Sequence, residues 1–176
     1  MIDSGGGHVI MRVADLTEQV LNHNDFIDKA IQLALENVRS GSGGPFGALV
    51  VKDGQIIASG ANQVTSTFDP TAHAEVVAIR KACLAVSHFE LTGCAIYSSC
   101  EPCPMCFGAI YWARPAHVFF AATASDASAA GFDDSFIKEQ LFLPYAKQEM
   151  SIAQVSHRLA LAPFEAWKTK VDKIAY

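Results

Sequence analysis

The segment CEPCPMC, residues 100–106, carries three of the chain's five cysteines: Cys100, Cys103 and Cys106. Cys103 and Cys106 stand three apart, so on a helix their thiols share one face and lie close enough to grip a single ion. Pro102 suits the first turn of such a helix. Positive partial charge at a helix N-terminus lowers a thiol's pKa and favours the thiolate that binds metal. The plain alternative is two buried structural cysteines, because free cysteine packs as a small hydrophobe. A second pair stands thirty residues upstream, where TAHAEVV puts His73 and Glu75 in the first turn of another helical run. In mid-helix two residues at that spacing point ~200° apart and cannot share a site. At a helix end their side chains can splay around the axis, so that His73 reaches a metal while Glu75 stands beside its water. Taken singly, His73 reads as a core histidine and Glu75 as an acid favoured by the dipole. Cys83 and Cys94 have packing readings only.

The elements that must hold these residues follow from periodicity and turn signals. Phe26, Ile27, Ala30, Leu33, Ala34 and Val38 recur at helical spacing behind an Asn/Asp cap, and Gly41 to Gly44 end the run. FGALVVKDGQIIASGAN reads as a hairpin turning at Asp53-Gly54. A turn at Asp69-Pro70-Thr71 leads into the helix AHAEVVAIRKACLAV, followed by the strand CAIYSS, the helix PCPMCFGAIYWA and the strand HVFFAAT. Right-handed crossovers make the last two strands parallel, on one sheet with the hairpin. A loop at AGFDDSF, a helix through Leu141, a weaker strand near AQVSHRLA and a terminal helix PFEAWKTKVDKIAY complete the chain. The expected fold is α/β: a three-layer α/β/α sandwich around a mixed, about five-stranded sheet. Residues 1–23, with Gly5-Gly6-Gly7, are expected to form a flexible N-terminal extension, a mobile tail or a short accessory helix around Asp15 to Leu21, and residues 24–176 one domain.

With 176 residues the chain can bury a full core without disulfides. An odd cysteine count and no signal-peptide pattern point to a reduced, cytoplasmic protein. A formal charge of −5, from 13 Lys and Arg against 18 Asp and Glu in no runs, argues against nucleic acid as partner, and no apolar run reaches membrane length. GSGGPFG is a connector, because Phe46 stands where a dinucleotide fingerprint needs its third glycine.

His73-Ala74-Glu75 followed by Pro102-Cys103-Pro104-Met105-Cys106 resembles the zinc deaminase signature. The resemblance implies one zinc per active site held by His73, Cys103 and Cys106, with Cys100 outside. Three protein ligands leave a corner open for water, whereas a fourth ligand from Cys100 would close the site and make it structural. Zinc brings the pKa of its water towards ~7. Glu75, not a ligand, would take the water's proton and pass protons to a ring nitrogen and to the leaving amine, so that ammonia is released.

From about Phe26 to Tyr176 the chain is similar to the bacterial guanine deaminases of the cytidine-deaminase-like fold, in GGPFGA, DPTAHAEV.AIRKAC, SCEPCPMCFGAIYWARP, AGFDDSF and PFEAW…Y. That likeness implies conversion of guanine to xanthine and ammonia. Phe46 would stack on the purine, Asn62 hydrogen-bond it, and Ala74 also meet it. Asp134 would accept from the guanine edge, with neighbouring Asp133 as the alternative, since only an acceptor satisfies the N1–H and amino donors. As a bland reading, Phe46 is core, Asn62 a turn residue and either aspartate a helix cap. The resemblance also implies a homodimer exchanged through the C-terminal segment, with Tyr176 part of a lid and Phe164 and Trp167 docking it; Trp112 reads as packing or interface. Rival substrates on the same fold are guanosine, cytosine and tRNA adenosine. A structural-zinc binding module is the non-enzymatic rival.

Overall fold

The computed structural model describes residues 13–175, with side chains described from His23 onward. It divides into two units, residues 1–133 and 134–176. The first contains helix α1 (Val13–Arg39), strands β1 (Gly47–Lys52) and β2 (Gln55–Ala61), and the single turn α2 (Val64–Thr67). It continues through α3 (Ala74–Val86), β3 (Cys94–Cys100), α4 (Pro104–Ala113), β4 (His117–Ala122) and α5 (Ala124–Ala129). The sheet order is β2-β1-β3-β4, with β1 antiparallel to both neighbours and β3 parallel to β4.

The β1–β2 turn falls on Asp53-Gly54, both with positive φ, 49° and 74°. That is the backbone a two-residue primed turn needs to match strand twist, and it is why Asp-Gly is found there. Along β1 the side chains alternate between two cores. Ala48 and Val50, with Ile96 of β3, pack under α3 and under Ile110 and Ala113 of α4. Leu49 and Val51, with Tyr97, pack under Ala30 of α1, with Phe26, Ile27 and Leu33 around them. Period-two alternation thus turns one strand into the floor of two layers. The three-layer sandwich expected from the sequence is present, with helices on both faces of a mixed sheet.

Four details differ from expectation. Among the described residues the sheet has four strands, not five, and residues 151–157 are irregular, followed by turns to residue 161. A strand exists only where a partner satisfies its backbone, and AQVSHRLA has no ladder to join. Pro104, not Pro102, opens α4, because Cys103 itself is the residue that precedes the first helical turn. The last helix stops at Thr169, where Lys170 turns to extended backbone. Helix α1 begins at Val13, upstream of the boundary drawn at residue 24; residues 1–12 lie outside the described residues.

The second unit holds α6 (Ser135–Phe142), a 3-10 turn (Tyr145–Lys147) and α7 (Ala162–Thr169). None of its described residues is buried, and large apolar side chains such as Leu141, Phe142, Val155 and Phe164 are exposed. No helix among the described residues is long and apolar enough to cross a membrane.

Candidate metal centre and active site

Two helix starts meet at one place because β2 and β3, both antiparallel to β1, run the same way and deliver the chain to the same end of the sheet. Before α3, the Asp69 carboxylate accepts from the Thr71 amide (2.8 Å) and hydroxyl (2.7 Å) and closes the turn. The Thr71 bonds hold the Asp69 carboxyl below its ordinary pKa. His73 then caps α3 with extended backbone, and Glu75 falls at the second helical position. Strand β2 approaches so closely that a Cβ on Gly60 would stand 2.3 Å from the Ala74 carbonyl oxygen, so only glycine fits there. Before α4, the chain leaves β3 at Cys100. Glu101 fixes the bend by donating its amide to the Ala122 carbonyl (2.8 Å) and accepting the Ala124 amide (2.9 Å). Cys103 caps α4, and Cys106 lies in its first turn.

The thiols of Cys103 and Cys106 each lie 3.5 Å from His73 Nδ1. All three ligand atoms fall within 4.8 Å of one another, and together they could hold a metal ion. A tetrahedral ion at zinc bond lengths of ~2.0–2.3 Å needs about 3.5 Å between a nitrogen and a sulfur ligand, so both nitrogen–sulfur distances suit zinc. A metal taken at Nδ1 leaves the His73 proton on Nε2. The electrostatics agree. Cys103 is drawn down to about 4 by a hydrogen bond from Cys106, aided by His73, and Cys106 is pushed up by the same shared proton. The hydrogen bond to Cys103 raises His73. Cys100 is elsewhere: its thiol donates to the Thr123 carbonyl at 3.6 Å, and burial raises it.

Glu75 is buried, and the loss of water raises its carboxyl above the usual range. Its Oε2 lies 3.4 Å from Cys106 Sγ, beside the triad. Its Oε1 accepts from the Ser98 hydroxyl at 3.1 Å. Ser98 was not singled out from the sequence. The only available signal was a polar residue in the strand AIYSS on the same face as Ile96.

The cytidine and deoxycytidylate deaminase zinc-binding region matches residues 21–122. The chain belongs to that family. The family's cofactor is zinc, for which the His73, Cys103 and Cys106 group is suited. A guanine deaminase from Bacillus subtilis (strain 168) is 53% identical over 156 residues, covering 89% of this chain and all of that one. The X-ray structure of Bacillus subtilis guanine deaminase superposes with a TM-score of 0.86, over 88% of this chain and 98% of that chain. A structure described as a guanine deaminase from Nitrosomonas europaea is 27% identical, with a TM-score of 0.60 over 76% of this chain and 80% of that one. A tRNA-specific adenosine deaminase from Aquifex aeolicus (strain VF5) is 45% identical, but over 78 residues only, 44% of this chain and 52% of that protein.

The remaining residues named from the sequence are distributed as follows. Phe46 is half-buried, edge-on to Phe132 at 5.0 Å between ring centres. Asn62 is buried just after β2; its amide donates to the Phe46 carbonyl (3.0 Å), and its Oδ1 accepts from Val64 (3.2 Å). Asn62 is tied to α1 by a residue that periodicity did not reveal. Asn37, buried, donates to the carbonyls of Gly44 and Asn62, each at 2.8 Å. Ala74 is fully buried at the first position of α3. Asp134 belongs to the second unit, where it precedes α6 and pairs with Lys138 at 3.4 Å. Tyr176 lies outside the described residues.

Proposed function

We propose that this protein catalyses the zinc-dependent hydrolytic deamination of guanine to xanthine and ammonia in the cytoplasm. The observation that carries the substrate is the extent of the guanine deaminase match. A 156-residue alignment cannot be confined to residues 21–122, which are the part shared with the wider family. The tRNA-specific relative matches only 78 residues, and the net charge of −5 offers little attraction to a polyanion.

In this reading His73, Cys103 and Cys106 hold the ion. A zinc held there would supply Lewis-acid activation of a water, so that attack on a ring carbon could proceed at neutral pH. Glu75 takes a proton from that water and carries it to a ring nitrogen. It then takes the second proton from the attacking oxygen as the carbonyl forms and gives it to the amino group as the carbon–nitrogen bond breaks. Its burial supports the role, since loss of water raises the carboxyl above the ordinary range and so its affinity for the proton it must carry. Phe46 packs on the purine and Asn62 hydrogen-bonds it. Ala74 contributes at the first helical position, where helices leave amides unpaired. Asp134 accepts from the N1–H and amino edge.

The C-terminal segment supplies a lid ending in Tyr176 and is exchanged between two subunits. The support is that residues 134–175 carry exposed apolar side chains and bury none of their own. Removing the last few residues should cut turnover sharply while zinc stays bound, and sedimentation should give a dimer mass. A monomer, or unchanged kinetics, argues against the lid.

Ammonia release from guanine, guanosine, cytosine, cytidine and adenine, measured separately with zinc-loaded protein, tests the central reading. Guanine should lead. Glu75→Gln should lower its turnover by about 1,000-fold with zinc retained. Preference for another base would overturn the substrate, and a fully active Glu75→Gln would overturn the mechanism.

A further inference from the structure

The Glu75 oxygen turned away from the triad is occupied. Ser98 donates its hydroxyl to Oε1 at 3.1 Å, and both side chains are nearly excluded from solvent, with Ser98 1% and Glu75 5% exposed. Ser98 stands opposite Ala48 across the β1–β3 ladder, on the face that packs against α3. Its position is therefore set by the sheet, the most rigid part of the unit. On the other side, Oε2 lies 3.4 Å from Cys106 Sγ.

These two contacts differ in permanence. A thiol donates only while it carries a proton, and a sulfur bound to metal carries none. With the site loaded, Oε2 would have no donor from Cys106 and would stand beside the His73, Cys103 and Cys106 triad, while Oε1 keeps its serine. The terminal torsion of a glutamate is broad, so an unclamped carboxyl would present either oxygen in many orientations. A hydroxyl at Oε1 removes that freedom. It can donate to Oε1 both when Glu75 is a carboxylate and when the proton sits on Oε2, so the clamp survives both halves of a proton transfer. We propose that Ser98 is a positioning residue that clamps Glu75 through Oε1 and reserves Oε2 as the oxygen that carries protons. This rests on Glu75 acting as the proton carrier in guanine deamination.

Ser98→Ala removes the hydroxyl with little change of volume. A hydrogen bond to a charged buried group predicts a loss of kcat of about 10- to 100-fold. KM for guanine and zinc content should stay close to wild type, while melting temperature falls by a few degrees because the buried Glu75 oxygen loses its donor. Ser98→Thr, which restores a hydroxyl on a strand, should recover most of the rate. Crystals of the zinc-loaded wild type and Ser98→Ala supply a readout without turnover. Glu75 should hold one orientation with Oε1 on Ser98 in the first, and a rotated or spread carboxyl in the second. The proposal fails if Ser98→Ala keeps wild-type kcat, if its loss of kcat follows loss of zinc, if Ser98→Thr does not restore the rate, or if Glu75 is unchanged between the crystals. Wild-type protein that leaves guanine intact would sink the functional reading instead, and the crystal comparison would still decide Ser98.

Discussion

Helix α5 begins with a complete reciprocal cap: the Thr123 side chain accepts the Asp126 amide, and Asp126 accepts the Thr123 amide in return. Helices α3 and α4 begin with His73 and Cys103, and neither makes a side-chain cap bond. In α5 the side chain at the helix start turns back to satisfy the backbone. In the other two it turns outward, towards the facing helix start. A capping side chain contributes about 1 kcal/mol, so this chain gives up local stability at the two ends where ligand atoms are wanted. The lesson is that a helix start can serve its own helix or a site with the same residue, and the two uses compete. The electrostatic benefit remains in either case, because the positive end of the dipole favours both a first-turn acid and a thiolate.

The contrast can be broken most severely at Cys103. Cys103→Ser removes a ligand and the helix start's anion together. Zinc affinity should fall by more than the roughly 10–100-fold that losing a ligand's hydrogen-bond partner costs, and turnover should disappear with it. Zinc titration by competition with a chelator measures the first, and retention of both would remove the triad from the mechanism.

A smaller effect comes from acid. Cys103 sits at about 4 and Cys106 above the ordinary thiol value of 9.0, so between these limits the metal-free pair keeps one proton that zinc must expel. His73, raised by its bond to Cys103, adds a second proton as pH falls. Zinc affinity should therefore drop as pH is lowered from 8 to 6. Calorimetry in buffers of different ionisation enthalpy should show about one proton released per zinc at the upper end and more at the lower. Less than one proton released at the upper end would contradict the shared-proton arrangement, and release that does not grow with acidity would contradict the raised His73.

The smallest change belongs to α5. Thr123→Ala should lower stability by about 1 kcal/mol, a shift in melting temperature of roughly 2–4 °C for a chain of this size. Zinc affinity and guanine turnover should not move. A loss of zinc in this variant would mean that α5's cap supports the site after all, and the division between the two kinds of helix start would be wrong.

The parts of this molecule that were readable in advance are those in which neighbours along the chain determine the outcome. Asp53-Gly54 turned where expected, and the three-residue step from Cys103 to Cys106 put both sulfurs on one turn. The strand expected at AQVSHRLA failed because β structure is a property of a pair, and no period within eight residues reveals whether an edge is waiting. Asn37 and Ser98 escaped for a similar reason. Each looks like an ordinary polar residue in its own element, and each acquires meaning from a partner 23 or 25 positions away.

Local order along the chain settled which atoms could bind a metal, because ligand chemistry resides in side-chain identity and helical spacing is uniform. Folding in three dimensions settled that His73 meets both sulfurs at 3.5 Å, that Cys100 turns instead to Thr123, and that one oxygen of Glu75 is held while the other faces the triad. Those outcomes depend on two helix starts converging at one end of a sheet. Burial and strand pairing bring them there, and neither has a signature in the residues they join.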